Sequence, residues 1–206
     1  MHIDDCKDRF KKISENVTCL HNKDQMNAFI NSLFDIPLDK EGCIVEAGCF
    51  KGGSTAKFSI AAKMINRKLI VFDSFQGLPE KEGNFTKGKY NGSLDEVKDN
   101  VKKYGEIDVC EFVEGWFKDT MPNFSEKICA VYLDVDLSSS AKTCLKYLYP
   151  LIIPKGILYS HDGDHKPVAA VYNDDEFWEK EVGCKKPFID GLGNRKLINI
   201  IKDEKI

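Results

Sequence analysis

No segment of this chain is apolar over the length that a bilayer crossing needs. The start of the chain also lacks the basic and apolar regions of an export signal, with Asp4, Asp5 and Asp8 standing there instead. A cytoplasmic protein without a membrane partner is therefore expected. Lysine and arginine are scattered and outnumbered, 30 against 33 acidic residues, and the net charge of -3 offers no electrostatic footprint for nucleic acid. The eight cysteines include no Cys-x-x-Cys pair. Cys43, Cys110 and Cys129 lie in or beside apolar runs, where a free thiol behaves as a small buried hydrophobe, so disulfides and thiolate metal sites are disfavoured. Internal repeats, low-complexity tracts and a composition shift that would mark a boundary are absent as well. Residues 1–206 thus read as one domain, opened by a helical arm over 1–38.

Strand-like and helix-like segments alternate along the chain. Met26, Phe29, Ile30, Leu33 and Phe34 share one face of a helix expected over 24–35. Strands are expected over about 43–47, 68–72, 109–113, 129–133 and 156–159, separated by helices over 53–66, 93–104 and 139–149 and a short segment at 116–121. The 129–133 run is apolar throughout, which suggests a central position. A helix is expected over 167–178, and the tail reads as strands over 187–189 and 196–201 joined by the Gly191-Leu192-Gly193-Asn194 turn. Residues 76–92, rich in Gly, Lys, Pro and Asn, form a loop whose length suggests a mobile lid. This order implies an α/β fold with a mostly parallel sheet and an antiparallel hairpin at its end.

Two strings close the first two strands: Glu46-Ala-Gly-Cys-Phe-Lys-Gly-Gly-Ser54 and Asp73-Ser-Phe-Gln-Gly-Leu-Pro79. Carboxyl ends of parallel strands are where open α/β sheets bind ligands. A dinucleotide fingerprint needs glycine two positions after Gly48, where Phe50 would obstruct a pyrophosphate. A phosphate-binding P-loop needs lysine just before Ser54, and Gly53 stands there. A ligand without phosphate and with a positive centre suits the acidic strand ends, and S-adenosylmethionine fits: Asp73 can take the ribose hydroxyls, Glu46 can help hold the amino acid part, and the glycine turn lets that part approach the backbone. Candidate cofactor contacts are Glu46, Gly48, Phe50, Gly52, Ser54, Asp73, Ser74 and Phe75, with Gly115 and Trp116 after the third strand as an amide and a wall for the adenine, and Asp134 after the fourth.

Asp73-Ser-Phe-Gln-Gly-Leu-Pro79, Gly115-Trp-Phe-Lys-Asp-Thr-Met-Pro122 and Leu133-Asp-Val-Asp-Leu137 with Ser140 resemble the macrocin O-methyltransferase family, whose members methylate sugar hydroxyls of macrolides and related glycosides. The resemblance covers about residues 40–200. It implies a class I methyltransferase fold of the Rossmann-like type: a three-layer sandwich around a seven-stranded, mostly parallel sheet ending in the antiparallel hairpin. It also implies S-adenosylmethionine, a saccharide or glycoside acceptor, a homodimer or higher homo-oligomer, and a divalent metal, usually magnesium. That metal is held by the first aspartate of the Leu-x-Asp motif, matched by Asp134, and by an Asp-Asp pair that appears here as His161-Asp162. Ser138 stands where the family commonly has tyrosine.

The His161 departure matters because magnesium prefers oxygen ligands, while imidazole suits zinc, iron, nickel or manganese. Three readings follow: a different metal at Asp134, His161 and Asp162; replacement of His161 by Asp164 or Asp136; or loss of the metal, with His161 acting as base. His165 is a further candidate base. A sugar alcohol is a very weak acid, so its attack on a sulfonium methyl needs metal polarisation or a base in reach, and Asp134 and His161 are the catalytic candidates. Two alternatives remain at this level. One is a degenerate S-adenosylmethionine-binding module, and the other an NAD-linked sugar oxidoreductase.

Overall fold

The computed structural model describes residues 3–37 and 41–203. Of the arm expected over 1–38, residues 1, 2 and 38 lie outside that description. The arm is helical: α1 (Lys7–Asn16) is followed by α2 (Lys23–Phe34). Asn22 starts α2 through a reciprocal capping box, its side chain accepting the Gln25 amide at 2.8 Å while its own amide donates to Gln25 Oε1 at 3.2 Å. Met26, Phe29, Ile30 and Leu33 are buried on one face of α2, as their spacing requires.

The six strands are β1 (Cys43–Ala47), β2 (Leu69–Asp73), β3 (Cys110–Glu114), β4 (Ile128–Leu133), β5 (Ile152–Ser160) and β6 (Ile198–Ile201). They form one sheet in the order β3-β2-β1-β4-β5-β6, with β6 alone antiparallel. The wholly apolar β4 is buried along its length between β1 and β5, whereas β3, which carries Glu111 and Glu114 and is nowhere fully buried, takes the edge. Alternate side chains feed two cores. Ile44, Val71, Ala130 and Tyr132 pack beneath α1, α2, α3 (Gly53–Met64) and α4 (Leu94–Tyr104). Val45, Ala47, Val131 and Leu133 pack beneath α6 (Ser138–Leu148) and α7 (Lys166–Tyr172), and the short α5 (Phe117–Thr120) lies beside α6.

The class I methyltransferase architecture expected from the sequence is therefore present, with differences in its tail. The expected helix over 167–178 breaks at Asn173, because the Asp174 side chain caps a new turn by accepting the Phe177 amide at 3.0 Å. The seventh strand shrinks to a single bridge between Asp190 and Asn199, with Asp190 N–H donating to the Asn199 carbonyl at 2.9 Å. Pro187 lacks a ladder donor and Phe188 is 84% exposed, so nothing holds a longer strand there. Conversely, β5 begins at Ile152 rather than 156, carrying a bulge against β4 around Lys155 (φ +64°). Among the described residues no helix is long and apolar enough to cross a membrane.

Candidate active site

The carboxyl ends of β1 to β5 point to one edge of the sheet, and the strand order reverses between β1 and β4. A cavity of about 530 Å³ opens there, within the size range of small-molecule sites. The turn after β1 reaches this edge only because residue 48 is glycine. Its φ is +85°, and a Cβ would stand 2.0 Å from the Asp134 carbonyl oxygen. Gly48 N–H donates to Phe72 O and Asp134 N–H to Ala47 O, both at 3.0 Å, so the ends of β1, β2 and β4 are tied together. Phe50, Phe75 and Asp136, each just beyond a strand end, adopt positive φ of 49°, 56° and 59°. Such conformations are strained for non-glycine residues and cluster where sites are built.

Gly48, Phe50, Ser54, Asp73, Ser74, Gly115, Trp116, Asp134 and His161 border the cavity, whereas Glu46, Gly52, Phe75 and Asp162 stand behind its wall. The Asp73 carboxylate accepts the Cys49 amide at 2.8 Å and the Phe75 amide at 2.7 Å, so Phe75 contributes through its backbone. Burial raises Asp73 above its ordinary value despite these donors. Gly52 caps α3 in the left-handed conformation, which its φ of +80° reserves for glycine. The Gly115 amide, expected to bond adenine, is already donated to the Asp73 carbonyl at 2.9 Å, so Gly115 serves as wall rather than donor. Glu46 is fully buried, and neither carboxylate oxygen makes a hydrogen bond among the described residues. Burial pushes it up to about 7, partly offset by Ser54 and Thr55 beside it.

At the other end of the cavity, two imidazoles meet one carboxylate. His161 Nδ1 lies 3.2 Å from Asp134 Oδ1, and His21 Nε2 lies 3.0 Å from Asp134 Oδ2. The two rings pack edge to face with centroids 4.4 Å apart. Burial alone would push Asp134 up, but the two imidazoles hold it well below the carboxylate range. Burial keeps His161 below its ordinary value, while for His21 the contacts to Asp134 and Cys19 outweigh burial and push it up to about 10. Asp162 turns away from the cavity, and its Oδ2 accepts the Val135 and Asp136 amides at 3.0 and 3.1 Å. Burial, then Asp134 and Asp136, push Asp162 well above the carboxylate range, and burial with Asp134 pushes Asp136 up to about 7.

Residues 18–189 match the family model of macrocin O-methyltransferase (TylF). The chain belongs to this family. It is 31% identical over 137 residues to the 8-demethyl-8-(2,3-dimethoxy-alpha-L-rhamnosyl)-tetracenomycin-C 4'-O-methyltransferase of Streptomyces olivaceus, covering 59% of this chain and 52% of that one. To the mycinamicin III 3''-O-methyltransferase of Micromonospora griseorubida it is 30% identical over 139 residues, covering 59% and 55%. The chain thus spans about half the length of the curated relatives it matches. Its fold superposes on the O-methyltransferase NovP with a TM-score of 0.72 at 21% identity, covering 87% of this chain and 78% of that one.

This macrocin O-methyltransferase family member departs from the expected site in several places. His21 comes from the arm between α1 and α2, where nothing in the local pattern marks it. His165, considered above as a base, instead reaches Glu82 of the 76–92 loop at 3.3 Å. Glu82 also accepts the Ser138 amide at 3.0 Å and the Ser138 hydroxyl, and Glu80 accepts the Ser139 hydroxyl at 2.6 Å. Ser138, in the family's tyrosine position, therefore holds the loop over the cavity. Asp164 is exposed and takes no part in the cluster. For the divalent metal that the family resemblance implies, two sets of ligand atoms lie within 4.8 Å of one another among the described residues, His21-Asp134-His161 and Asp134-Asp136-Asp162. They share Asp134, and the expected trio of Asp134, His161 and Asp162 is split between them. Either set is chemically able to hold a divalent cation, but only the first lies wholly on the cavity wall.

Proposed function

We propose that this chain is an S-adenosylmethionine-dependent O-methyltransferase acting on a hydroxyl of a sugar or glycosylated small molecule, assisted by a divalent metal at Asp134. The observation that carries the reading is the pairing of two chemistries in one cavity. A nucleoside end is built by Asp73, the Gly48 turn and Trp116, and a proton-handling end by Asp134 and His161. S-adenosylmethionine suits the first end because its ribose hydroxyls find the remaining lone pairs of Asp73 and its amino acid part meets the backbone beside Gly48 and Ser54. An acceptor hydroxyl at the second end donates to the Asp134 carboxylate, which takes up the proton as the oxygen captures the methyl group and the sulfonium leaves as a neutral thioether, while His161 and His21 hold that carboxylate in place. A metal held by Asp134 and its neighbours would polarise that hydroxyl. Positioning and exclusion of water beneath the 76–92 loop supply much of the remaining acceleration. A glycoside acceptor agrees with the names of the relatives, and Phe50 in the cavity wall disfavours the oxidoreductase alternative.

Calorimetry with S-adenosylmethionine, followed by radiolabelled methyl transfer to a panel of glycosides, tests this. Asp73→Ala is expected to weaken donor binding at least about tenfold, since a charge-assisted hydrogen bond is worth about 1.5–3 kcal/mol. Asp134→Ala is expected to abolish transfer while donor binding persists. Absence of donor binding to the unaltered chain overturns the reading, and binding without transfer to any glycoside would leave a binding module.

A further inference from the structure

We propose that His21, Asp134 and His161 form a site for one divalent first-row transition metal ion, and that the arm carrying His21 is thereby part of the catalytic cavity. The site's purpose rests on the methyltransferase reading; its ligand set does not. Gln25 decides the direction of the His161 ring. Its Oε1 accepts the Asn22 backbone amide at 3.2 Å, which identifies that atom as oxygen, and it lies 3.0 Å from His161 Nε2. His161 Nε2 must therefore carry the proton, leaving a lone pair on Nδ1, in a neutral ring, to face Asp134 Oδ1 at 3.2 Å. Two acceptors facing one another need a cation or an extra proton between them.

The geometry at His21 favours the cation. Its side chain is only 5% exposed, and Nε2 lies 3.0 Å from Asp134 Oδ2 without meeting hydrogen-bond geometry. With only His21 protonated, His161 Nδ1 would still face Asp134 Oδ1 as one acceptor against another, and with both rings protonated two imidazolium ions would sit 4.4 Å apart against a single carboxylate. A metal ion removes that repulsion, because it takes neutral imidazoles. Both rings also have the outer partner that orients metal-ligating histidines: Gln25 Oε1 on His161 Nε2, and Cys19 Sγ on His21 Nδ1 at 3.4 Å. The two nitrogen–oxygen separations of 3.0 and 3.2 Å agree with ligand atoms bound at about 2.1 Å and at right angles, which stand about 3 Å apart, and all three ligand atoms lie within 4.8 Å of one another. Two imidazoles and one carboxylate select borderline ions from manganese to zinc over magnesium. The competing carboxylate set is the poorer choice, because Asp162 Oδ2 already accepts two amides and Asp162 does not reach the cavity.

The test uses the full chain stripped with chelator and titrated with cobalt, zinc, manganese and magnesium chlorides by calorimetry and visible absorption. One equivalent of cobalt is expected to bind at least about 100-fold more tightly than magnesium. His21→Ala and His161→Ala should each weaken cobalt binding by about 100-fold, and Gln25→Ala by about 10-fold or more. Asp136→Asn, which keeps a residue tolerant of the positive φ, should change it less than about threefold. Circular dichroism checks that each variant folds. Should His21→Ala fail to fold, hyperfine-shifted ring N–H resonances from two histidines in the cobalt-loaded unaltered chain provide the same evidence. Magnesium binding as tight as cobalt, cobalt binding lost in Asp136→Asn but kept in His21→Ala, resonances from fewer than two histidines, or no metal binding at all would each overturn the proposal. S-adenosylmethionine binding is read in parallel, and its failure would sink the methyltransferase reading while the metal titration stands or falls separately.

Discussion

A methyl group at Gly48 would collide with the Asp134 backbone as well as forcing φ +85° on a residue with a Cβ. The turn after β1 and the Asp134 carboxylate therefore cannot be moved independently. Gly48→Ala is expected to destabilise the fold by about 3 kcal/mol, within the range of backbone-strain substitutions, and to displace Asp134. Chemical denaturation and donor calorimetry check this, and a variant with unchanged stability and affinity would show that the turn is looser than described. The place of Gly48 and Asp73 on the cavity wall was legible because each follows an apolar run in a pattern with few chemical meanings. His21 was not. It is one histidine in a polar connection, and its role depends on Asp134, a residue distant in sequence and brought to it by the sheet. Gln25 likewise reads only as a helix-capping residue until folding places it against His161, 136 positions away.

The 76–92 loop is tied at both its root and its tip. Leu78 exchanges backbone hydrogen bonds with Gly88 and Lys89, each at 2.9 Å, and Glu82 near the tip accepts from Ser138 at the start of α6. Its charge there also complements the positive end of the helix. Glu82→Ala removes the acceptor for the Ser138 amide and hydroxyl together and frees His165 from its contact. The variant is expected to lose about 1–3 kcal/mol of local stability. Tryptic cleavage at Lys81, Lys87 and Lys89 should accelerate at least about fivefold, because a local opening free energy reduced by that amount raises the open population. Cleavage rates equal to those of the unaltered chain would mean that Glu82 does not hold the loop. The sequence located the loop correctly through its lack of periodicity, but its anchoring could not be read, since both glutamates look like solvated charges until α6 is placed beneath them. The core strands were legible for the opposite reason: continuous apolar runs fix both their extent and their burial. The tail was overextended, because its side chains alternate without a buried face along the full expected length.

For the molecule as a whole, Glu46 couples folding, pH and ligand. It lies under the cavity at the heart of the sheet, with Ser54 and Thr55 beside it and His21 and Asp73 as its nearest charges, and burial raises it from 4.5 to about 7. Between those values the unfolded chain releases this proton while the folded chain keeps it, so stability falls as pH rises from about 4.5 to about 7 and changes no further through this group above that. A shift of this size corresponds to about 3 kcal/mol. Glu46→Gln removes the titration, so the stability difference between the variant and the unaltered chain, measured by denaturant unfolding at pH 5 and pH 8, should change in the variant's favour by about that amount. A difference independent of pH would show that Glu46 ionises normally. The same proton is expected to report on the cavity. A sulfonium and an ammonium group bound nearby favour the carboxylate, so donor binding near pH 7 should release a fraction of a proton. Calorimetry in buffers of different ionisation enthalpy reads that release, and identical heats in all of them would mean that the cofactor's positive charge does not reach Glu46.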